Sequence, residues 1–139
     1  ETVKVVYDTS KVSTEDLVKN FWEIHDPTQL DRQGNDVGNN YRSAIYWTNE
    51  DQKNIAIQTG RAYQKLLNTK GYGEIVTEMA ALESFWPAEN YHQDYAERNK
   101  VKYNYYRWAC GRDRRGRVRV HCRRRRLALA TTAPSSLRL

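Results

Sequence analysis

The sequence predicts an α+β fold, in which helices pack on a small mixed sheet, from three observations. Short β-branched or aromatic segments alternate with amphipathic segments in the order strand, helix, strand, helix, strand. The chain has 139 residues, enough for one domain with its own core. Its apolar runs stay below the ~20 residues of a membrane-spanning helix, and no stretch near Glu1 has the pattern of a signal peptide. We therefore expect a small cytoplasmic domain.

The first strand and the first helix are predicted from residue type and capping. Thr2–Tyr7 is rich in β-branched residues and ends in a turn cluster at Asp8. Ser13, with Asp16 three residues later, is close to a capping box. Apolar residues then recur at helical spacing at Leu17, Val18, Phe21, Trp22 and Ile24. Pro27 ends the helix.

A long loop should separate this helix from the next strand. From Asp26 to Asn40 the chain is rich in Asp, Asn, Gly and Gln and shows no apolar period, and long loops in compact domains are often functional. Tyr41–Trp47 alternates as a second strand does. Asn49 is placed to cap a second helix, which Gly71 ends.

The remaining elements are less regular. Glu74–Ala80 is predicted to be a third strand, and residues 88–98 form a short helix after an aromatic turn. The aromatic segment Lys102–Cys110 fits either a strand or an ordered coil.

The charge divides the chain into two parts. Residues 112–139 hold ten arginines, no lysine and one acid, whereas residues 1–111 carry a small net negative charge. We therefore expect a domain over residues 1–113 and a basic, Arg-rich tail over residues 114–139 that is disordered or the product of a shifted reading frame. A rival hypothesis is a disordered arm that contacts the phosphates of nucleic acid.

The common chemical motifs do not occur in the sequence. There is no Gly-rich phosphate loop, CxxC pair, HExxH or Gly-x-Ser-x-Gly elbow, and the three histidines lack the spacing of metal ligands. No metal or cofactor is predicted. The two cysteines, Cys110 and Cys122, cannot form the disulfide framework of a small secreted domain.

Two polar blocks, Arg32–Ser43 (RQGNDVGNNYRS) and Phe85–Tyr95 (FWPAENYHQDY), carry a resemblance to a known family. Together with Glu23–Leu30 and Gly71–Glu78, these blocks closely resemble segments of type A peptide methionine sulfoxide reductases, and they follow one another in the same order as in that family. The likeness covers residues 1 to about 113. It implies an α+β fold with a ferredoxin-like core and reduction of methionine-S-sulfoxide, free or in oxidised proteins, with thioredoxin as reductant.

The resemblance also implies roles for individual residues. Glu1 matches the proton donor of the family, Asp36 an acid that orders the site and its water, and Tyr41 a tyrosine whose hydroxyl holds the sulfoxide oxygen. Tyr91 and Tyr95 could line the substrate pocket. Each assignment has a plainer alternative: Glu1 a charged chain end, Asp36 an Asx turn, and Tyr41 the first residue of a strand.

The sequence departs from the family pattern at the nucleophile. In the family a cysteine of a Gly-Cys-Phe-Trp motif, upstream of the acid, attacks the sulfoxide, but here no cysteine precedes Cys110. We therefore expect an N-terminally truncated reductase that does not turn over as it stands. The alternative is a non-catalytic binding module of the same fold. Cys110 fits equally a resolving cysteine or a free thiol.

The truncation hypothesis leads to two further expectations. A complete protein of this kind is expected to be a monomer. In the isolated 139 residues, the apolar faces of Phe21, Trp22 and Ile45 should lack the partners that a missing strand and helix would supply.

Overall fold

The structure is a computed structural model of the chain and describes residues 2–34, 36–109 and 126–131. The described elements comprise six strands and four α-helices. In chain order they are β1 (Val3–Tyr7), α1 (Thr14–Glu23), β2 (Arg32–Gln33), β3 (Asp36–Val37), β4 (Ala44–Trp47), α2 (Glu50–Thr69), β5 (Glu78–Ala81), α3 (Tyr95–Arg98), α4 (Lys100–Ala109) and β6 (Arg126–Thr131). Two 3₁₀ turns, Asn39–Tyr41 and Asn90–His92, precede β4 and α3.

Four strands form the main sheet in the order β1-β6-β4-β5. The three pairings described in this sheet are parallel, and the antiparallel pairing lies in a separate ladder of β2 and β3. Helices α1 and α2 pack against each other, and α2 contacts β4. The α+β class is therefore confirmed. The ferredoxin-like core that the resemblance implies stays a prediction.

The two long helices begin where the sequence predicts. The Ser13 side chain accepts a hydrogen bond from the backbone N–H of Asp16, and Asn49 accepts one from Gln52, so each side chain satisfies a backbone donor that the helix leaves open. At the other end of α2, Gly71 takes a φ of +73°, in the left-handed region that favours glycine.

The core lies where α1, α2 and the sheet meet. It is built from Tyr7, Val18, Phe21, Trp22, Ile45, Ala56 and Leu129. The indole N–H of Trp22 donates to Thr59 Oγ1 over 3.0 Å. The expectation that Phe21, Trp22 and Ile45 lack partners is wrong, because all three are at most 3% exposed. Side chains from α2 and β6 complete the cluster around them.

The third strand is shorter than predicted. It begins at Glu78 because the preceding backbone is bonded elsewhere: the N–H of Ile75 donates to Gln64 Oε1 and that of Val76 to the carbonyl of Pro27. The second strand likewise begins at Ala44, after the turn that ends at Tyr41.

The aromatic segment after residue 99 is a helix. Its residues from Lys100 to Ala109 form α4, whereas the sequence favoured a strand or coil. The predicted helix over residues 88–98 is divided into the turn Asn90–His92 and the single-turn helix α3.

Part of the predicted tail is a strand. Arg126–Thr131 forms β6, between β1 and β4, and Ala128 and Leu129 are fully buried. For these six residues the expected disorder is wrong. The physical reason is that a run of small and apolar residues fits a parallel strand covered on both faces. The domain boundary at residue 113 stays a prediction, and Cys122 lies outside the described residues.

Candidate functional site

Two of the residues that the resemblance assigns to the site, Asp36 and Tyr41, lie on one loop, residues 34–42, which we call the site loop. It follows β2 and precedes β4. Gly34 has a φ of +61°, in the left-handed region, and the Arg32 guanidinium donates to its carbonyl from Nε and Nη2 over 3.2 and 2.7 Å. Asp36 lies directly after this turn, in β3, where its backbone partner is Gln33.

The first arm of the loop is tied to Asp26 through the backbone. The Gln33 side chain is fully buried, and its amide makes two hydrogen bonds to one residue: Oε1 accepts from the Asp26 N–H and Nε2 donates to the Asp26 carbonyl, both over 3.1 Å. The glutamine amide thus satisfies a donor and an acceptor that would otherwise be buried without partners.

The Asp26 carboxylate supports the same arm. Oδ1 accepts from the backbone N–H and the hydroxyl of Thr28, over 3.0 and 2.7 Å. Oδ2 accepts from Gln29 Nε2 over 2.9 Å, and Gln29 Oε1 in turn accepts from the Gly34 N–H over 2.7 Å. The carboxylate therefore reaches the site loop through Gln29.

The second arm of the loop is tied to His25. The His25 ring is 1% exposed; Nδ1 lies 2.6 Å from the Phe21 carbonyl and Nε2 2.7 Å from Ser43 Oγ. A carbonyl only accepts, so Nδ1–H donates to it and Nε2 accepts from the Ser43 hydroxyl. Ser43 Oγ then accepts from Thr77 Oγ1–H over 2.8 Å. Burial lowers the pKa of His25 to about 4, which keeps the ring neutral at pH 7.

The turn that carries Tyr41 is braced by an arginine. Within the turn, the Tyr41 N–H donates to the Gly38 carbonyl, and the Gly38 N–H donates to the carbonyl of Asp31. Arg42 donates from Nη1 to the carbonyl and Oδ1 of Asn39, over 3.2 and 2.8 Å. Its Nε pairs with the Glu78 carboxylate at the start of β5, an ion pair whose hydrogen bond raises the pKa of Arg42.

The structure brings together only some of the predicted site residues. Asp36 and Tyr41 share the site loop, and both side chains are half-buried. Tyr91 and Tyr95 lie in the segment before α4 and are 66% and 43% exposed; the Tyr91 ring packs on His92 at a centroid distance of 4.3 Å. Glu1 and Cys110 lie outside the described residues. The roles of all six stay predictions.

Sequence reasoning missed the buried polar residues that hold the loop, Gln33, His25 and Ser43. A signal for one of them was present, since His25 lies four residues after Phe21 and continues the apolar face of α1. Gln33 and Ser43 carry no comparable signal in a single sequence. Across residues 2–34, 36–109 and 126–131, no three His, Cys, Asp or Glu side chains are grouped as metal ligands would be.

Comparison with known proteins shows the family of the chain. The family model described as peptide methionine sulfoxide reductase matches residues 1–123. The chain belongs to this family. It is 51% identical over 105 residues to the peptide methionine sulfoxide reductase MsrA of Streptomyces griseus, an alignment that covers 74% of this chain and 47% of that protein. It is 48% identical over 103 residues to the human mitochondrial peptide methionine sulfoxide reductase, covering 74% of this chain and 44% of the human protein.

A solved reductase structure shows the same likeness. Methionine sulfoxide reductase A of Corynebacterium diphtheriae superposes with a TM-score of 0.64 and 37% identity, covering 68% of this chain and 49% of that one. The chain thus spans about half the length of the curated relatives that it matches. None of its helices within the described residues has the length and apolar character needed to cross a bilayer.

Proposed function

We propose that this chain provides part of the active site of an enzyme that reduces methionine-S-sulfoxide, free or in oxidised proteins, to methionine with thioredoxin as reductant. The observation that supports the proposal is the site loop: the family match includes it, and buried hydrogen bonds of Gln33 and Ser43 anchor the two ends of the segment that carries Asp36 and Tyr41. The human and rat relatives are named as mitochondrial. For this chain we propose the cytoplasm, and a monomer when the protein is complete.

The proposed chemistry is an oxygen transfer to a thiol. A cysteine thiolate attacks the sulfoxide sulfur while its oxygen takes up a proton; the oxygen passes to the cysteine, which becomes a sulfenic acid, and methionine leaves. A second thiol then displaces water from the sulfenic acid and forms a disulfide, which the thioredoxin dithiol reduces. In this scheme Glu1 supplies the proton and the Tyr41 hydroxyl hydrogen-bonds the sulfoxide oxygen.

The other residues have supporting roles in the proposal. Asp36 orders the site and its water, Tyr91 and Tyr95 line the approach to the pocket, and Cys110 is the second thiol. The 139 residues contain no cysteine before Cys110. The attacking thiol would therefore have to come from a Gly-Cys-Phe-Trp segment encoded ahead of Glu1.

The first experiment reads the DNA that encodes the chain, upstream of the Glu1 codon and in the same frame. A Gly-Cys-Phe-Trp segment about 40 to 50 codons upstream, a distance set by domain size, would support the reductase. A start codon adjacent to Glu1 would favour the alternative function, a binding module of the same fold, because the sequence then supplies no attacking thiol.

The second experiment titrates the 139 residues with L-methionine-S-sulfoxide and with the R epimer, followed by amide NMR. The proposal expects shifts in residues 34–43 with the S epimer, weakened in a Tyr41→Phe variant that lacks the hydroxyl. The matched control is Tyr46→Phe, which removes a hydroxyl that donates to Glu78 at the start of β5. Equal responses to the two epimers, or none in the loop, would contradict the proposal.

A further inference from the structure

Two consecutive residues just after α1 hold both arms of the site loop. His25 is bonded to Ser43 after the loop, and Asp26 is bonded to Gln33 before it. We propose that Gln33 is a positioning residue of the reductase site: its buried amide sets the place of Asp36, and the His25–Ser43 hydrogen bond sets the other end of the same loop. This inference rests on the proposed function, because that function assigns Asp36 and Tyr41 to the site.

The geometry of Gln33 suits this role. Its side chain points into the protein and closes a ring of two hydrogen bonds with the backbone of Asp26, while its own backbone pairs with Asp36 in the β2–β3 ladder. A displacement of Gln33 therefore moves the ladder partner that carries the proposed site carboxyl. The ladder is only two residues long on each strand, so its stability depends on hydrogen bonds to the surrounding chain, among which the two from the Gln33 amide are buried.

The chemistry of an amide explains why the position needs glutamine. The side chain must accept from an N–H and donate to a carbonyl, and both backbone groups belong to a residue that is 8% exposed. A carboxylate cannot donate, and a hydrocarbon can do neither. Replacing the amide with a hydrocarbon would leave two buried backbone groups without partners, which favours displacement of the loop.

The residues that anchor the loop, His25 and Asp26, are fixed to the core through α1. His25 and Asp26 follow the last turn of α1, and the Ile24 N–H still donates to the Asn20 carbonyl. That helix contributes Val18, Phe21 and Trp22 to the core, and the His25 ring packs on Phe21 at a centroid distance of 4.4 Å. The loop is thus bonded to residues that the packed core holds in place, and not to residues of the solvent-exposed surface.

The test compares two buried glutamines. Gln33→Leu removes the anchor, and Gln52→Leu removes an amide that is equally buried but bonds Thr48 and the Tyr7 hydroxyl instead. Amide hydrogen exchange of the 139-residue chain is measured by NMR. The reporter is the N–H of Gly38, a residue of the site loop, which donates to the carbonyl of Asp31 ahead of the loop. A merely structural role would accelerate exchange in both variants according to their loss of stability.

The expected result is specific to the loop. In Gln33→Leu, we expect the Gly38 amide to exchange at least about tenfold faster relative to the core amides of α2, because local opening then precedes global unfolding. The amide resonances of residues 36–41 should shift as well. Gln52→Leu should keep the wild-type ratio and the wild-type loop spectrum. An equal ratio in the two variants, or an unchanged loop in Gln33→Leu, would overturn the proposal.

A replacement variant and a binding titration are added to the exchange experiment. If Gln33→Leu does not fold, Ser43→Ala takes its place, since it removes the hydroxyl that binds His25 at the other arm and should shift the same resonances. Binding of methionine-S-sulfoxide is titrated in parallel and should weaken in the loop variants alone. If the wild-type chain binds no sulfoxide while the exchange result holds, the anchor is supported and the proposed function fails.

Discussion

Gln33 and Asp36 are backbone partners across the turn at Gly34, so a fully buried amide and a half-buried carboxyl share one short ladder. Gln33 faces the backbone of Asp26 inside the protein, and Asp36 belongs to the loop for which we propose a role in the reductase site. The loop thus has polar but buried supports. Such supports specify one geometry, because an alternative position would leave hydrogen-bonding groups without partners.

The Arg42–Glu78 ion pair is predicted to stabilise the turn that carries Tyr41. Arg42→Met removes the pair and two hydrogen bonds to Asn39, and we expect it to lower the free energy of unfolding by about 1 kcal/mol. Urea denaturation measures this. The control is Lys19→Met, which breaks the exposed pair with Glu15 and should leave the midpoint unchanged. Equal effects of the two changes would contradict a bracing role for Arg42.

His25 predicts a loss of stability in mild acid. Burial lowers its pKa in the folded protein to about 4, from an ordinary 6.5, although the adjacent Asp26 favours the charged ring. Between these values the unfolded chain binds more protons than the folded one. The free energy of unfolding should therefore fall as the pH drops from 6.5 to about 4, by at most ~1.4 kcal/mol per pH unit from this group.

A histidine replacement separates this effect from the titration of the carboxyl groups. His25→Gln removes the titrating ring, so its stability at pH 7 should be lower but its dependence on pH between 6.5 and 4 should be flatter. His92→Gln, at a side chain that is 53% exposed, should keep the wild-type slope. Chemical denaturation at half-unit pH steps measures both. A slope unchanged by His25→Gln would show that this ring does not cause the acid sensitivity.

Local rules predicted α1, α2 and their starts because these depend on nearby residues. Ser13 and Asn49 cap the next turn with their own side chains, and the apolar spacing of α1 matches the face that it buries. The errors concern α4 and β6, whose structure depends on the remainder of the fold. The aromatic residues of α4 have strand propensity, and β6 is stabilised by β1 and β4, which lie more than 70 residues earlier in the chain.

From the sequence, only the site residues that belong to the family motif were predicted. Asp36 and Tyr41 were named from the motif, and the structure places both on one loop. Nothing in a single sequence distinguishes the buried Gln33 from the exposed polar residues beside it, because burial of a polar side chain depends on a partner that lies elsewhere in the fold, here the backbone of Asp26.

Gly60 is predicted to be required by the packing of α2 on α1. A Cβ at this position would lie 3.0 Å from Met79 Cε and 3.2 Å from the Trp22 ring. Met79 can turn away, but Trp22 is 1% exposed and bonded to Thr59. In a helix interior, alanine is more favourable than glycine by about 1 kcal/mol. Overpacking against the Trp22 ring should cost about 1 to 3 kcal/mol and exceed this gain, so Gly60→Ala should lower the melting temperature.

A second glycine provides the control for Gly60. In Gly73→Ala the new Cβ meets Thr28 at 3.8 Å, which is ordinary van der Waals contact. The free energy of unfolding should change by no more than about 0.5 kcal/mol, so the melting temperature should stay within about two degrees of the wild type. A melting temperature raised by Gly60→Ala would mean that the Trp22 ring moves aside without cost.

Leu129 is predicted to be necessary for the stability of the main sheet. It is fully buried in β6, opposite Val5 of β1, although it follows a segment whose composition suggested disorder. Leu129→Ala should therefore reduce the free energy of unfolding by about 2 to 5 kcal/mol, the range for a leucine truncated in a packed core. Leu30→Ala is the matched control, because that leucine is 69% exposed. Thermal melts of the two variants test this prediction. If the two melting temperatures are equal, β6 does not form part of the folded sheet, and the stability of β1 must come from other contacts.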